Sequence, residues 1–278
     1  MAKKKVDFKY SVLMSVYYKE NPEWLDLSIE SMMNQTVICD EFVLIEDGKL
    51  TDELYKVIDK YVKKYPKLFN IIKNETNKGL GLALRDGILH CNNELIARMD
   101  SDDFSVPDRC EKLLNIFKED YSYDCVGSFE VEFENDLDDV VAIHKVPETS
   151  DEIDKFMRRR CALLHPTVMY KKSAVLAAGN YRNVLLYEDY DLFMRMVCEK
   201  HCKCYNIQEN LYFIRINANF FKRRGGFKYM KTAIKFKNMQ RKKGYMSFKD
   251  FIISAGGQAF VCLMPNKMRR WFYLKFLR

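Results

Sequence analysis

Nowhere in this chain do the roughly 18 to 20 apolar residues needed to cross a bilayer run together. The nearest approach, Phe248 to Met264, is interrupted by Gly256-Gly257 and Gln258. No low-complexity tract appears, and 48% of the 278 residues are hydrophobic, so a substantial core is available and a disordered chain is excluded. An export signal is also missing: Lys3 to Lys5 resemble a basic leader, but Asp7 and Lys9 break the apolar stretch that should follow. The expectation is a cytosolic protein whose nine scattered cysteines stay reduced. Cys198, His201, Cys202 and Cys204 lack a second pair at zinc-ribbon distance, so no zinc site is expected there.

Acid is nearly absent from one end. Residues 222–278 hold 16 Lys and Arg against the single acid Asp250, while residues 1–221 carry a net negative charge; the overall +7 conceals this split. The division suggests a body and a basic, aromatic-rich tail with separate jobs. The body would span residues 1–221 and the tail residues 222–278.

The body alternates strand and helix signals. Tyr10 to Tyr17 is an apolar run suited to a strand buried on both faces. Asn21-Pro22-Glu23 then marks a helix start, with a capping Asn, Pro at the first helical position and an acid in the first turn. Phe42 to Ile45 ends in Glu46-Asp47-Gly48, and Thr51 opens a helix striped by Leu54, Val57, Ile58, Tyr61 and Val62. Leu68 to Ile72 is a third strand. Asn77-Lys78-Gly79 turns into a helix through Leu84 and Ile88, and Leu95 to Met99 is the fourth strand. This βαβαβαβ order predicts an α/β fold with a mainly parallel sheet flanked by helices. Such sheets bind ligands beyond the carboxyl ends of their strands. Further on, a helix over Asp108 to Phe117, a strand over Cys125 to Phe133, a loop or hairpin over Glu134 to Asp154 and a strand over His165 to Tyr170 are expected.

Three strand ends carry polar groups: Ser15 to Tyr18, Glu46-Asp47-Gly48, and Asp100-Ser101-Asp102-Asp103. Carboxylates packed this closely repel one another unless a cation or solvent compensates. Oxygen ligands at that spacing, with room for phosphate oxygens, suit Mn²⁺ or Mg²⁺ shared with a nucleotide diphosphate. A second acidic group, Glu188-Asp189-Tyr190-Asp191, precedes an apolar helix. A helix start accounts for one such acid through the macrodipole but less well for three.

These segments, in this order and rough spacing, resemble family 2 glycosyltransferases, and most of all the bacterial subgroup that builds exopolysaccharide, capsule and lipopolysaccharide, typified by amylovoran biosynthesis glycosyltransferases. The likeness runs from Tyr10 to about Arg224 and more loosely to the end. It implies a GT-A fold, a nucleotide-diphosphate sugar as donor, a divalent metal, and transfer with inversion to a saccharide acceptor, expected to be lipid-linked. It further implies that Ser15, Tyr17 and Asp47 hold the nucleoside, that Asp100 lies near the ribose, that Asp102 binds the metal, and that Asp189 is the general base. Asp191 is the rival base, and Glu188 and His165 are acceptor-side candidates. Many relatives carry Arg about seven residues after the Asn of the Asn-x-Gly turn, where this chain has Leu84. The diphosphate contact therefore falls to Arg98 or to the Arg223-Arg224-Gly225-Gly226 turn.

Two other classes compete. A nucleotidyltransferase on a related sheet would place a glycine- and arginine-containing loop after the first strand, but Tyr17-Tyr18-Lys19-Glu20-Asn21 has neither residue. A nucleic-acid-binding protein could use the basic tail, but the converging carboxylates of the body would repel phosphates, so no nucleic-acid partner is expected. In the tail, Met268, Trp271, Phe272 and Phe276 alternate with Lys267, Arg269, Arg270, Lys275 and Arg278. That mixture suits a helix lying on an anionic membrane surface, attached peripherally at the cytoplasmic face. The alternative is a terminal helix docked on the body with a solvated basic face.

Overall fold

The fold follows from how the first apolar runs pair. In a computed structural model, which describes residues 8–216 and 218–278 and the side chains of all of these but 218 and 219, they form β1 (Tyr10–Val16), β2 (Glu41–Asp47), β3 (Phe69–Asn74) and β4 (Leu95–Arg98). They lie in the order β3-β2-β1-β4, all parallel, with Leu13 opposite both Val43 and Arg98. Every residue of β2 and all but one of β1 is buried, as strands covered on both faces require. The crossovers are α1 (Pro22–Met33), α2 (Asp52–Lys64) and α3 (Leu80–His90). Their starts are built as the sequence predicts: the Asn21 side chain accepts from the Glu23 N–H at 2.8 Å, and Thr51 Oγ1 from the Leu54 N–H at 3.3 Å.

Beyond β4 the sheet turns mixed. A two-residue β5 (Phe104–Ser105) precedes α4 (Arg109–Glu119), then β6 (Cys125–Phe133), β7 (Val140–His144), α5 (Ser150–Met157), β8 (Met169–Lys171), α6 (Lys172–Ala177), α7 (Glu188–Met194) and β9 (Cys204–Arg215). The order continues β4-β8-β6-β9-β5, with β8 antiparallel to both neighbours, β6 parallel to β9, and β7 hairpinned on β6. The hairpin expected over 134–154 is present as β6 and β7, but the stretch also holds the start of α5, opened by a capping box between Thr149 and Glu152. Two other expectations change here. His165 to Thr167 is a 3₁₀ turn, because Pro166 cannot donate to a ladder, and only Met169–Lys171 is strand. The twelve-residue β9 was not anticipated: its polar middle, Gln208 to Asn210, interrupts the alternation where the register with β6 shifts.

The tail folds as α8 (Ala218–Lys222), α9 (Gly226–Lys242), α10 (Phe248–Leu263) and α11 (Asn266–Phe276), and it docks on the body. Arg269 is buried, donating to the carbonyls of Phe221 at 2.8 Å and Met264 at 2.6 Å and so tying α8, α10 and α11 together. Arg278 ion-pairs with buried Glu132 of β6. The docked tail nonetheless turns apolar groups outward: Phe260 is 62% exposed, and Trp271 and Phe276 are each 56% exposed. The outward face is therefore more apolar than a solvated basic helix would be. No helix among the described residues is long and apolar enough to cross a membrane.

Candidate active site

The carboxyl ends of β1, β2 and β4 open on one side of the sheet, and the acids found there differ in what they do. Asp47, buried at the end of β2, spends its carboxylate on the following turn. Oδ1 accepts from Asn74 Nδ2 at 3.0 Å and the Lys78 N–H at 2.9 Å, and Oδ2 accepts from the Gly79 N–H at 2.9 Å. Gly48 beside it sits at φ +88°, and an added Cβ would lie 2.8 Å from the Asn77 nitrogen, so only glycine fits. Asp47 thus shapes the turn that starts α3. Ser15 is half-buried near the end of β1, and Tyr17 and Tyr18 are exposed just beyond it, edge to face at 5.8 Å.

At the end of β4 the acids rest on cations. Arg98 is fully buried and pairs through Nη2 with Asp100, while Nη1 turns to the Met99 and Leu13 carbonyls. Arg109 lies beneath it, donating to the Arg98 carbonyl at 2.7 Å and stacking 5.1 Å from the Tyr212 ring. Arg98 therefore neutralises Asp100 from below and does not reach out to a diphosphate. Leu84 is in the core, and exposed Arg85 is spent on Asp86, so neither supplies that contact. Asp103 is buried and structural: it accepts from Tyr212 Oη at 3.0 Å and the Arg215 N–H at 2.8 Å, bracing β9. Asp102 is left without an ion pair among the described residues. Burial, then the charges of Glu20 and Asp100, push its carboxyl up to about 7.

Glu20 is a site residue that the sequence reading passed over. It lies in the loop after β1 and accepts from Ser101 Oγ at 2.6 Å, which brings it into the Asp100–Asp102 group. The signal for it is slight, a single acid in a polar loop. Arg215, whose side chain donates to the Asp102 carbonyl at 3.1 Å and lies over Trp24, and Arg223, whose charge lowers the Asp102 carboxyl, also border this group. Arg223 is thus the cation of the Arg223-Arg224 pair that faces the strand-end acids.

A cavity of about 510 Å³ lies between the sheet and the tail helices, beside the second acidic group. Asp189 is on its wall; burial raises its carboxyl, partly offset by the Tyr190 N–H donating at 2.6 Å. Glu188, next to it, is raised to about 7 by burial and by Asp189. It packs so close to the start of α3 that a Cβ on Gly81 would sit 2.8 Å from its own Cβ. The charge of Asp100 also raises both carboxyls. His165 lines the same cavity, Nε2 2.8 Å from Tyr181 Oη, and burial with Arg98 keeps its ring neutral. Asp191 does not join them. It is fully buried between Arg195 Nε at 3.0 Å and Gln240 Nε2 at 2.9 Å. Burial raises its carboxyl, but these partners and Lys243 outweigh that and hold it below its usual range.

Among the described residues no three carboxylates, imidazoles or thiolates converge as a closed metal cage. The excess negative charge around Asp102 nevertheless fits a divalent cation that takes one or two protein oxygens and completes its shell from phosphate and water.

Residues 11–177 match the family model "Glycosyl transferase family 2". The chain is 36% identical over 97% of both chains to an Escherichia coli UDP-Gal:alpha-D-GlcNAc-diphosphoundecaprenol beta-1,3-galactosyltransferase. It is 29% identical to an amylovoran biosynthesis glycosyltransferase of Erwinia amylovora, over 96% of this chain and 98% of the relative. The fold matches that of a Pyrobaculum calidifontis mannosyltransferase solved with GDP-Man and Mn²⁺, with a TM-score of 0.62 at 12% identity over 94% of this chain and 72% of the other. The α/β sheet with its strand-end acids is thus a GT-A fold, and the chain belongs to glycosyltransferase family 2.

Proposed function

We propose that this glycosyltransferase moves a sugar, with inversion, from a nucleotide-diphosphate donor held at Asp102 to a hydroxyl of a lipid-linked saccharide, in the assembly of a bacterial surface or exopolysaccharide. The observation that carries the reading is the separation of the acids into two groups. Glu20, Asp100 and Asp102 gather at the strand end, while Asp189 stands on the wall of a separate cavity. A single displacement needs this separation, because leaving group and attacking hydroxyl occupy opposite faces of the anomeric carbon.

Asp102, with Glu20 beside it, would hold a divalent metal, which when bound supplies Lewis-acid stabilisation of the departing diphosphate. Arg223 adds positive charge to the same group. Tyr17 and the Asp47-braced turn flank the space for the nucleoside. Across the site, Asp189 accepts the acceptor hydroxyl proton as the C–O bond forms and the bond to the diphosphate oxygen breaks. Burial raises its carboxyl towards the range where a base works near neutral pH. Glu188 is its neighbour in the chain, and neutral His165, on the cavity wall, would orient the acceptor.

Support for a lipid-linked acceptor comes from the relative whose name specifies a diphosphoundecaprenol-linked sugar and from the outward apolar face of α10 and α11. That face, in a region with 16 basic residues, suits peripheral attachment to an anionic membrane at the cytoplasmic side. The test is a panel of UDP- and GDP-sugars scored by thermal shift with Mn²⁺ and with EDTA, followed by transfer to sugar-diphosphate-lipid acceptors. One donor should stabilise the protein only with metal and be transferred. Stabilisation by no donor, or by donors regardless of metal, would refute the reading.

A further inference from the structure

The cavity beside Asp189 holds more positive charge than the protein itself neutralises. Arg160 uses Nη2 on His144 Nε2 at 2.9 Å and on the Leu277 carbonyl. Arg224 donates to the Phe220 carbonyl at 3.1 Å and lies 3.6 Å over that ring. Lys237, 4% exposed, donates to Ser254 Oγ at 2.7 Å and the Arg159 carbonyl at 3.3 Å. All three line the cavity, and among the described residues none of their hydrogen bonds ends on a carboxylate. Cavity-lining Glu130, 2.9 Å from a His144 ring that burial keeps from charging, offsets only part of this charge. Buried cations in excess of their counter-charge are costly, and a fold keeps them where an anion arrives. Burial lowers Lys237 to about 8, the mark of an ammonium without an ion-pair partner among the described residues.

The surroundings say which anion. Asp189 is on the same wall, so a hydroxyl presented to it must belong to a molecule whose anionic part reaches these cations. The exposed rings and chains at the rim, Phe260 and Ile253, give an apolar exit onto the outer face of α10. A volume of about 510 Å³ has room for one sugar and a diphosphate. We propose that Arg160, Arg224 and Lys237 form the binding site for the diphosphate of the acceptor, a polyprenyl diphosphate carrying a single sugar, whose hydrocarbon leaves over Phe260. This rests on the transferase reading above and names its acceptor class. The adjacent arginines then divide their work: Arg223 faces the donor acids and Arg224 the acceptor cavity.

Farnesyl diphosphate is the probe, titrated by calorimetry into the full chain in EDTA, where the acid-lined donor site repels diphosphate. Wild type should bind it, farnesol should bind at least tenfold more weakly, and Lys237→Met and Arg224→Gln should each lose tenfold or more. The same variants should keep nucleotide-sugar affinity with Mn²⁺ within twofold. Folding of Lys237→Met is not at risk, since removing an uncompensated buried charge should raise the melting temperature of the unliganded protein. Binding that requires Mn²⁺, equal binding of farnesol, or undiminished affinity in both variants would overturn the proposal. If nucleotide sugar binds with Mn²⁺ while farnesyl diphosphate does not bind in EDTA, only the acceptor site is wrong; if no nucleotide sugar binds, the transferase reading fails first.

Discussion

Asp102→Asn separates a metal-binding carboxylate from a structural one, because it should make the unliganded protein more stable. A carboxyl raised from its ordinary 3.8 to about 7 by burial, Glu20 and Asp100 is unfavourable when ionised by about 4 kcal/mol at 1.36 kcal/mol per pH unit. Partial access to solvent reduces that to about 2 kcal/mol. The sign is set by the raised value: the folded protein binds the proton more tightly than the unfolded chain, so stability falls as pH rises from about 4 to about 7. At pH 8 the substitution should therefore raise the melting temperature by about 4 °C in EDTA, at roughly 2 °C per kcal/mol for a chain of this size. At pH 5, about a third of the way through that window, the gain should fall to about a third. With Mn²⁺ and the cognate nucleotide sugar the order should reverse, wild type gaining stability that the variant does not. Differential scanning calorimetry at the two pH values reads all three. An equal gain at pH 5 and pH 8, or a variant less stable than wild type in EDTA, would refute the electrostatic reasoning.

Asp189→Asn should keep the fold and donor affinity while transfer falls about a hundredfold or more, whereas Asp191→Asn should unfold readily, because buried Arg195 loses its partner at a cost of about 3 kcal/mol or more; comparing melts and turnover for both settles which acid is the base. Transfer should also decline on acidification at a higher pH than an ordinary aspartate would give, since burial raises Asp189 and the base must be ionised, and a profile that falls only where a free aspartate titrates would count against Asp189. Glu20→Gln should weaken Mn²⁺-dependent donor binding several-fold without loss of fold, measured by calorimetry. Replacing Phe260, Trp271 and Phe276 together with Ser should abolish flotation with anionic liposomes while leaving the docked tail in place; unchanged flotation would show that the apolar face is not the attachment.

The parallel half of the fold was legible because its signals are local. Each strand is a short apolar run, each helix has a cap written in two or three residues, and the polar singularities fall at strand ends by the geometry of the βα unit. The second half was not, because its pairings depend on distant chain. β9 reads as a polar segment until its register with β6 supplies partners on both sides of Gln208 to Asn210. The acids divide in the same way. Asp102 and Asp189 were visible as members of clusters, but only tertiary contacts distinguish them from Asp103, spent on Tyr212 and Arg215, and from Asp191, spent on Arg195 and Gln240. Arg98 was read as a candidate for the diphosphate because it adjoins the acids in sequence. The strand's alternation instead points it inward, beneath Asp100.

The basic tail shows why charge counted along a sequence does not state where charge acts. Sixteen basic residues suggest a single surface for anionic headgroups, yet the structure distributes them among three environments. Arg269 and Arg278 are consumed in docking, on carbonyls and on Glu132. Arg224 and Lys237 turn inward to the cavity beside Asp189. Others, such as Lys267 and Lys275, remain outside, among the exposed rings of α11. A tail that only bound membrane would have no reason to bury unpaired cations beside a candidate base, and one that only capped the body would have no reason to leave Trp271 and Phe276 in water. Both features follow if the helices bring a lipid-borne diphosphate from the bilayer surface to the catalytic cleft. Membrane attachment and acceptor binding are then two ends of one surface.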